Sequence, residues 1–119
     1  MGFDCSFNFK RFPKLKQGYK KYDALVTKSY KLSRKDADSY EKVSEELREY
    51  AYGEFAHMIY DELAPLKPLL KNRRQGGEFS WDEVFGKSFS ELDVNQRKCL
   101  VGLIEGDFVY ILPSEFYTD

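Results

Sequence analysis

One histidine and two cysteines leave this chain poor in the side chains that most often do chemistry. With His57 alone, a paired-histidine metal site is excluded. The Glu-x-x-His spacing of Glu54 and His57 would need a second copy and further carboxylates to hold two irons. Cys5 and Cys99 are far apart in sequence, and each falls in an apolar register. They read as small buried hydrophobes and reduced thiols, not as a disulfide framework or a nucleophile. No apolar run approaches the roughly 20 residues that cross a bilayer. The opening MGFDCSFNFKRF has no basic region followed by an apolar stretch, so no secretory leader is expected and the expected location is cytoplasmic. Gly76-Gly77 lacks the Lys-Ser/Thr ending of a phosphate loop. No internal repeat and no low-complexity tract is present. The sequence therefore assigns no catalytic residue, no metal ligand and no cofactor.

What the chain does have is aromatic side chains and sorted charge. Ten Phe and nine Tyr in 119 residues exceed what one small core needs, and Tyr is favoured at contact surfaces. The net charge of −1 hides an asymmetry. Residues 1 to 35 hold ten Lys and Arg against Asp4 and Asp23, whereas the remainder holds eighteen acidic residues against nine basic ones. Segregated charge of this kind points to a macromolecular partner.

The length suits one domain spanning 1-119. Phe3, Cys5, Phe7 and Phe9 alternate with polar residues, which predicts a strand that Pro13 ends and Gly18 follows with a turn. Residues 19 to 32 fit helix slightly better than strand. From Lys35 to Leu63 the pattern is helical, with Asp36 as N-cap and Tyr40, Val43, Leu47, Tyr50 and Ala51 on one face. Past Gly53 the stripe shifts to Phe55, Ile59 and Leu63, predicting oblique packing or a break there. Pro65 ends it. Residues 72 to 78 read as a loop. Ser80 caps a short helix over 81 to 85, and Ser90 with Asp93 resembles a cap for a helix carrying Leu92, Gln96, Cys99, Leu100, Leu103 and Ile104. Gly106 suits a left-handed C-terminal cap. Phe108 to Leu112 is β-rich and predicts a closing strand. These elements predict an α+β domain. Its N- and C-terminal strands would form a short sheet packed on a long central helix and one or two shorter helices.

Two surfaces emerge as candidates. The acidic one comprises Glu45, Glu46, Glu49, Glu54 and Asp61. The basic one comprises Lys10, Arg11, Lys14, Lys16, Lys20, Lys21, Arg73 and Arg74. His57 lies between Glu54 and Asp61 on a helix, and an ion-pair cluster is its plainer reading. The expectation is a non-enzymatic protein, an inhibitor or immunity-type protein, that docks on another protein through a charged, Tyr-rich surface. The alternative is a nucleic-acid-binding accessory protein using the basic aromatic segment 9-35, where lysines would meet phosphates and rings would stack on bases. No membrane contact is expected.

Overall fold

Pro13 opens a helix instead of closing a strand. In the computed structural model, which describes residues 6–70, 74–75 and 79–118, helix α1 runs Pro13–Leu32 with the proline in its first turn. That position needs no amide donor and favours the φ that proline already has. Gly18, expected in a turn, lies inside α1 and is buried. A four-residue connection leads to α2, Ala37–Glu49. Asp36 caps it as expected, its carboxylate accepting from the amides of Asp38 (3.2 Å) and Ser39 (3.3 Å). The two helices pack side by side as a hairpin.

The chain does not break at Gly53. It widens into a π turn, Tyr50–Phe55, and continues as α3, Ala56–Leu63. The amide of Ala56 donates to Ala51 O, five residues back, and to Gly53 O. A wider turn advances less per residue, so the four-residue steps Ala51, Phe55, Ile59 and Leu63 all stay buried. This local widening accounts for the shift in the apolar stripe. A 3-10 turn over Ala64–Leu69 takes up Pro65 and Pro68.

Beyond it come strands β2 (Arg74–Gln75) and β3 (Phe79–Ser80), then the short helix α4, Trp81–Phe85. Ser80 caps α4 through Glu83 N at 3.3 Å. The last helix, α5, runs Val94–Glu105. Its cap is Asp93, reciprocated by Gln96, while Ser88 and Glu91 form a second box one turn earlier. Ser90, expected in this role, is not the capping residue. Gly106 ends α5 with φ 86°, the left-handed cap expected.

The expected α+β class is not what forms. The molecule is mostly helical, and among the described residues strand pairing is confined to two-residue segments. β1 (Ser6–Phe7) pairs antiparallel with β4 (Tyr117–Thr118), and β2 pairs with β3. The β-rich run 108–112 is a series of turns, closed by an Ile111 N–H to Phe108 O bond of 2.9 Å. Its residues cover α5 instead of pairing: a Cβ placed on Gly102 would lie 2.2 Å from Cε2 of Phe108. The glycine thus leaves the space in which that ring lies. Of the expected N-terminal strand, Phe3 and Cys5 lie outside the described residues.

Fully buried Leu15, Phe55, Ile59, Leu63, Trp81, Leu100, Leu103 and Phe116 make one core shared by α1, the π turn, α3, α4 and α5. At the α1 contact a Cβ on Gly18 would lie 3.0 Å from Cδ1 of Phe55 and 3.1 Å from Sδ of Met58. Tyr50 donates its hydroxyl to Gly18 O at 2.9 Å, fixing the π turn against α1.

Candidate interaction surfaces

The charged residues are positioned by this helical frame. Leu15, Gly18 and Leu25 define the buried side of α1. At 100° per residue, Lys16, Lys20 and Lys31 fall on the opposite side and Lys28 on its flank, and all four are exposed. They span about 22 Å at 1.5 Å per residue. Lys21 sits at the edge of this stripe, its ammonium 4.6 Å from the Tyr50 ring centre. Lys10, Arg11 and Lys14 are exposed near the start of α1. Arg11 pairs with Glu115 at 3.1 Å and lies 4.5 Å over the Phe116 ring, and Lys14 approaches Glu62 at 3.9 Å. Arg73 lies outside the described residues, and Arg74 is placed only as part of β2.

Of the acidic set, Glu45, Glu46 and Glu49 are exposed on α2, Glu54 on the π turn and Asp61 on α3. Glu45 and Glu49 are one turn apart, and Glu41 continues that line. Asp61 meets His57 Nε2 at 3.6 Å, so the histidine has one carboxylate neighbour, not two. The His57 ring also stacks on Phe89 at 4.5 Å. Among the described residues no group of three or more His, Cys, Asp or Glu is arranged to hold a metal.

Basic α1 and acidic α2 pack together as a hairpin, yet no ion pair within 4.0 Å joins them among the described residues. The lysines and carboxylates face outward instead of neutralising each other.

The aromatic residues of the basic segment are used differently from a base-stacking platform. Phe9 meets Tyr19 at 5.1 Å, Tyr22 stacks on Phe55 at 5.3 Å, and Phe12 stacks on Phe116 at 5.9 Å. They are core and core-edge contacts. Tyr30, 77% exposed, is the large aromatic residue that this segment presents to solvent. Tyr40, at 38%, follows on α2.

A polar contact ties α1 to the end of α5. The Tyr22 hydroxyl donates to Glu105 Oε1 at 3.0 Å. Burial, then the neighbouring Glu105 charge, holds the Tyr22 hydroxyl far above its ordinary value. Burial also raises Glu105, with Asp107 adding to the shift and the Tyr22 hydrogen bond opposing it.

Sequence reasoning missed a further feature, because it joins residues 45 positions apart in the chain. Arg97 on α5 donates from Nη1 to Tyr52 O (3.1 Å) and from Nη2 to Phe89 O (3.3 Å). The first of these carbonyls belongs to the π turn, where Ala56 N bonds past it. Beside that contact an open groove is lined by Arg48, Tyr52, Gly53, Arg97 and Lys98, among others. Its only sequence hint is the Arg97-Lys98 pair in an otherwise acidic region.

No helix among the described residues is long and apolar enough to cross a membrane. Compared with protein-family models, with curated proteins and with solved structures, the chain finds no match in any of the three.

Proposed function

We propose that this is a non-enzymatic docking protein of the inhibitor or immunity type, acting in the cytoplasm. Its α1–α2 hairpin engages another protein. The observation that carries this reading is the outward division of the hairpin: Lys16, Lys20, Lys28 and Lys31 on α1, Glu41, Glu45 and Glu49 on α2, with no ion pair between the helices among the described residues. Uncompensated charge of one sign steers encounter with a complementary surface. Exposed Tyr30 and Tyr40 near the connection supply the contact area that charge alone lacks. A protein partner is favoured over single-stranded nucleic acid because Phe9, Phe12, Tyr19 and Tyr22 pack inward.

Photo-crosslinking groups placed at Lys20, Lys28, Glu45 and Glu49 in the native host test this. Crosslinks to one protein from one stripe are expected. Reversing three charges of that stripe should then abolish binding to the purified partner, and wild-type binding should weaken with salt. Crosslinks from neither stripe would defeat the reading, and nuclease-sensitive crosslinks from α1 would replace it with nucleic-acid binding.

A further inference from the structure

The groove beside the π turn concentrates positive charge where the composition leads one to expect the reverse. Arg48 comes from α2, and Arg97 and Lys98 from α5. Among the described residues Glu49 is the only carboxylate in the lining, which gives the groove a net charge of +2. None of the three cations has a carboxylate within 4.0 Å among the described residues.

Arg97 makes the case strongest. Its two hydrogen-bond partners are neutral carbonyls, its guanidinium carbon lies 4.3 Å from the Phe89 ring centre, and its Nε is buried without a hydrogen bond. Carbonyls and a ring face solvate a cation, but they do not neutralise it. A half-buried guanidinium normally has an anion beside it. Lys98, 5.6 Å from the Tyr52 ring centre, and Arg48, one turn before Tyr52, bring two more charges to the same place.

The rest of the lining limits what such an anion is attached to. Gly53 leaves the groove unobstructed, since a Cβ there would meet nothing within 4 Å. Val94, 54% exposed, adds an apolar wall. The volume, 530 Å³, falls in the range of small-molecule sites, roughly 300–1,000 Å³.

We propose that this groove binds a phosphate monoester carried on a flat, weakly polar group, a nucleoside monophosphate being the simplest example. Arg48 and Lys98 contact the phosphate, Arg97 contributes its field from below, and the flat group lies over Gly53 against Val94.

Amide NMR titration of the full chain with AMP, adenosine and inorganic phosphate at low salt tests the assignment. AMP should saturate shifts at Arg48, Gly53 and Lys98 with Kd below about 1 mM, and adenosine and phosphate should each bind at least about tenfold more weakly. The exposed double variant Arg48→Glu/Lys98→Glu should lose AMP binding, and Gly53→Leu should weaken it without changing charge. Lys28→Glu, on α1, should leave it intact. Three results would overturn the proposal: no saturation, inorganic phosphate binding as well as AMP, or shifts that follow the α1 lysines equally.

Discussion

Gly18 and Phe55 should be strongly coupled, because α1 can approach the π turn only where a side chain is missing. Replacing Gly18 with Ala has two opposed effects. In a helix interior Ala is favoured over Gly by about 1 kcal/mol. Against that, the new Cβ would sit 3.0 Å from Cδ1 and 3.2 Å from Cε1 of Phe55, and 3.1 Å from Met58 Sδ. Phe55 is fully buried and packed against Tyr19, Tyr22 and Tyr50, so it has little room to retreat. Overpacking of this kind costs about 1–3 kcal/mol, leaving Gly18→Ala destabilising by about 1 kcal/mol. Phe55→Leu alone should also destabilise, by about 1–2 kcal/mol, through lost ring contacts. In that background the rigid ring is gone and only the flexible Met58 thioether must shift, so Gly18→Ala should now stabilise by up to about 1 kcal/mol. The interaction energy of the cycle is then near 2 kcal/mol, within the range seen for residues in direct contact. Urea unfolding of the four proteins measures it, with unchanged m-values confirming two-state behaviour. Effects that add to within about 0.5 kcal/mol would refute the close-approach argument, because independent sites add to that precision.

Three further predictions concern caps and protons. Asp93→Ala should lower stability by about 1 kcal/mol by removing the α5 cap, and Gly106→Ala by about 1–2 kcal/mol because its φ of 86° strains any residue with a Cβ; calorimetry of both checks this. Glu105, raised above its ordinary value, binds its proton more tightly folded than unfolded. Stability therefore falls as pH rises from the unfolded carboxylate range through the folded value. Glu105→Gln, which still accepts from Tyr22, should be more stable than the parent at pH 7 and equal to it at pH 3; a difference independent of pH in urea titrations would contradict the assignment. Burial raises Tyr19, Tyr22, Tyr50 and Tyr52 above the ordinary 10.0, so stability should fall as pH climbs past that value. Absorbance at 295 nm should show these four ionising at higher pH in the folded protein than in the unfolded chain.

What the sequence revealed tracks how local each interaction is. Asp36, Ser80 and Gly106 cap their helices through bonds to neighbours a few residues away, and all three could be located from residue type and position. The π turn announced itself as a shifted stripe from Ala51 to Leu63, although its form did not. Pro13 is ambiguous in sequence, because the same ring that ends a strand is tolerated at the first helical position. Residues 108–112 have strand composition, but a strand needs a partner, and that requirement lies elsewhere in the chain. The same holds for the surfaces. The lysine stripe of α1 follows from helical spacing, whereas the grouping of Arg48 with Arg97 and Lys98 depends on how α5 packs on the π turn.

The contact between segments 6–12 and 115–118 has a kinetic consequence. It is built from the β1–β4 pair, the Asn8 N to Phe116 O bond of 2.9 Å, and the cluster of Phe7, Phe12, Phe116 and Tyr117. The α1–α2 hairpin closes across four residues, but this clasp closes a loop of more than a hundred. Each doubling of loop length adds about 0.6 kcal/mol to closure, so the clasp should form after the folding transition state. Weakening it with Phe116→Leu should then leave the folding rate nearly unchanged and speed unfolding. How long the molecule persists between unfolding events is thus governed by its most distant contact, and how quickly it folds by its nearest.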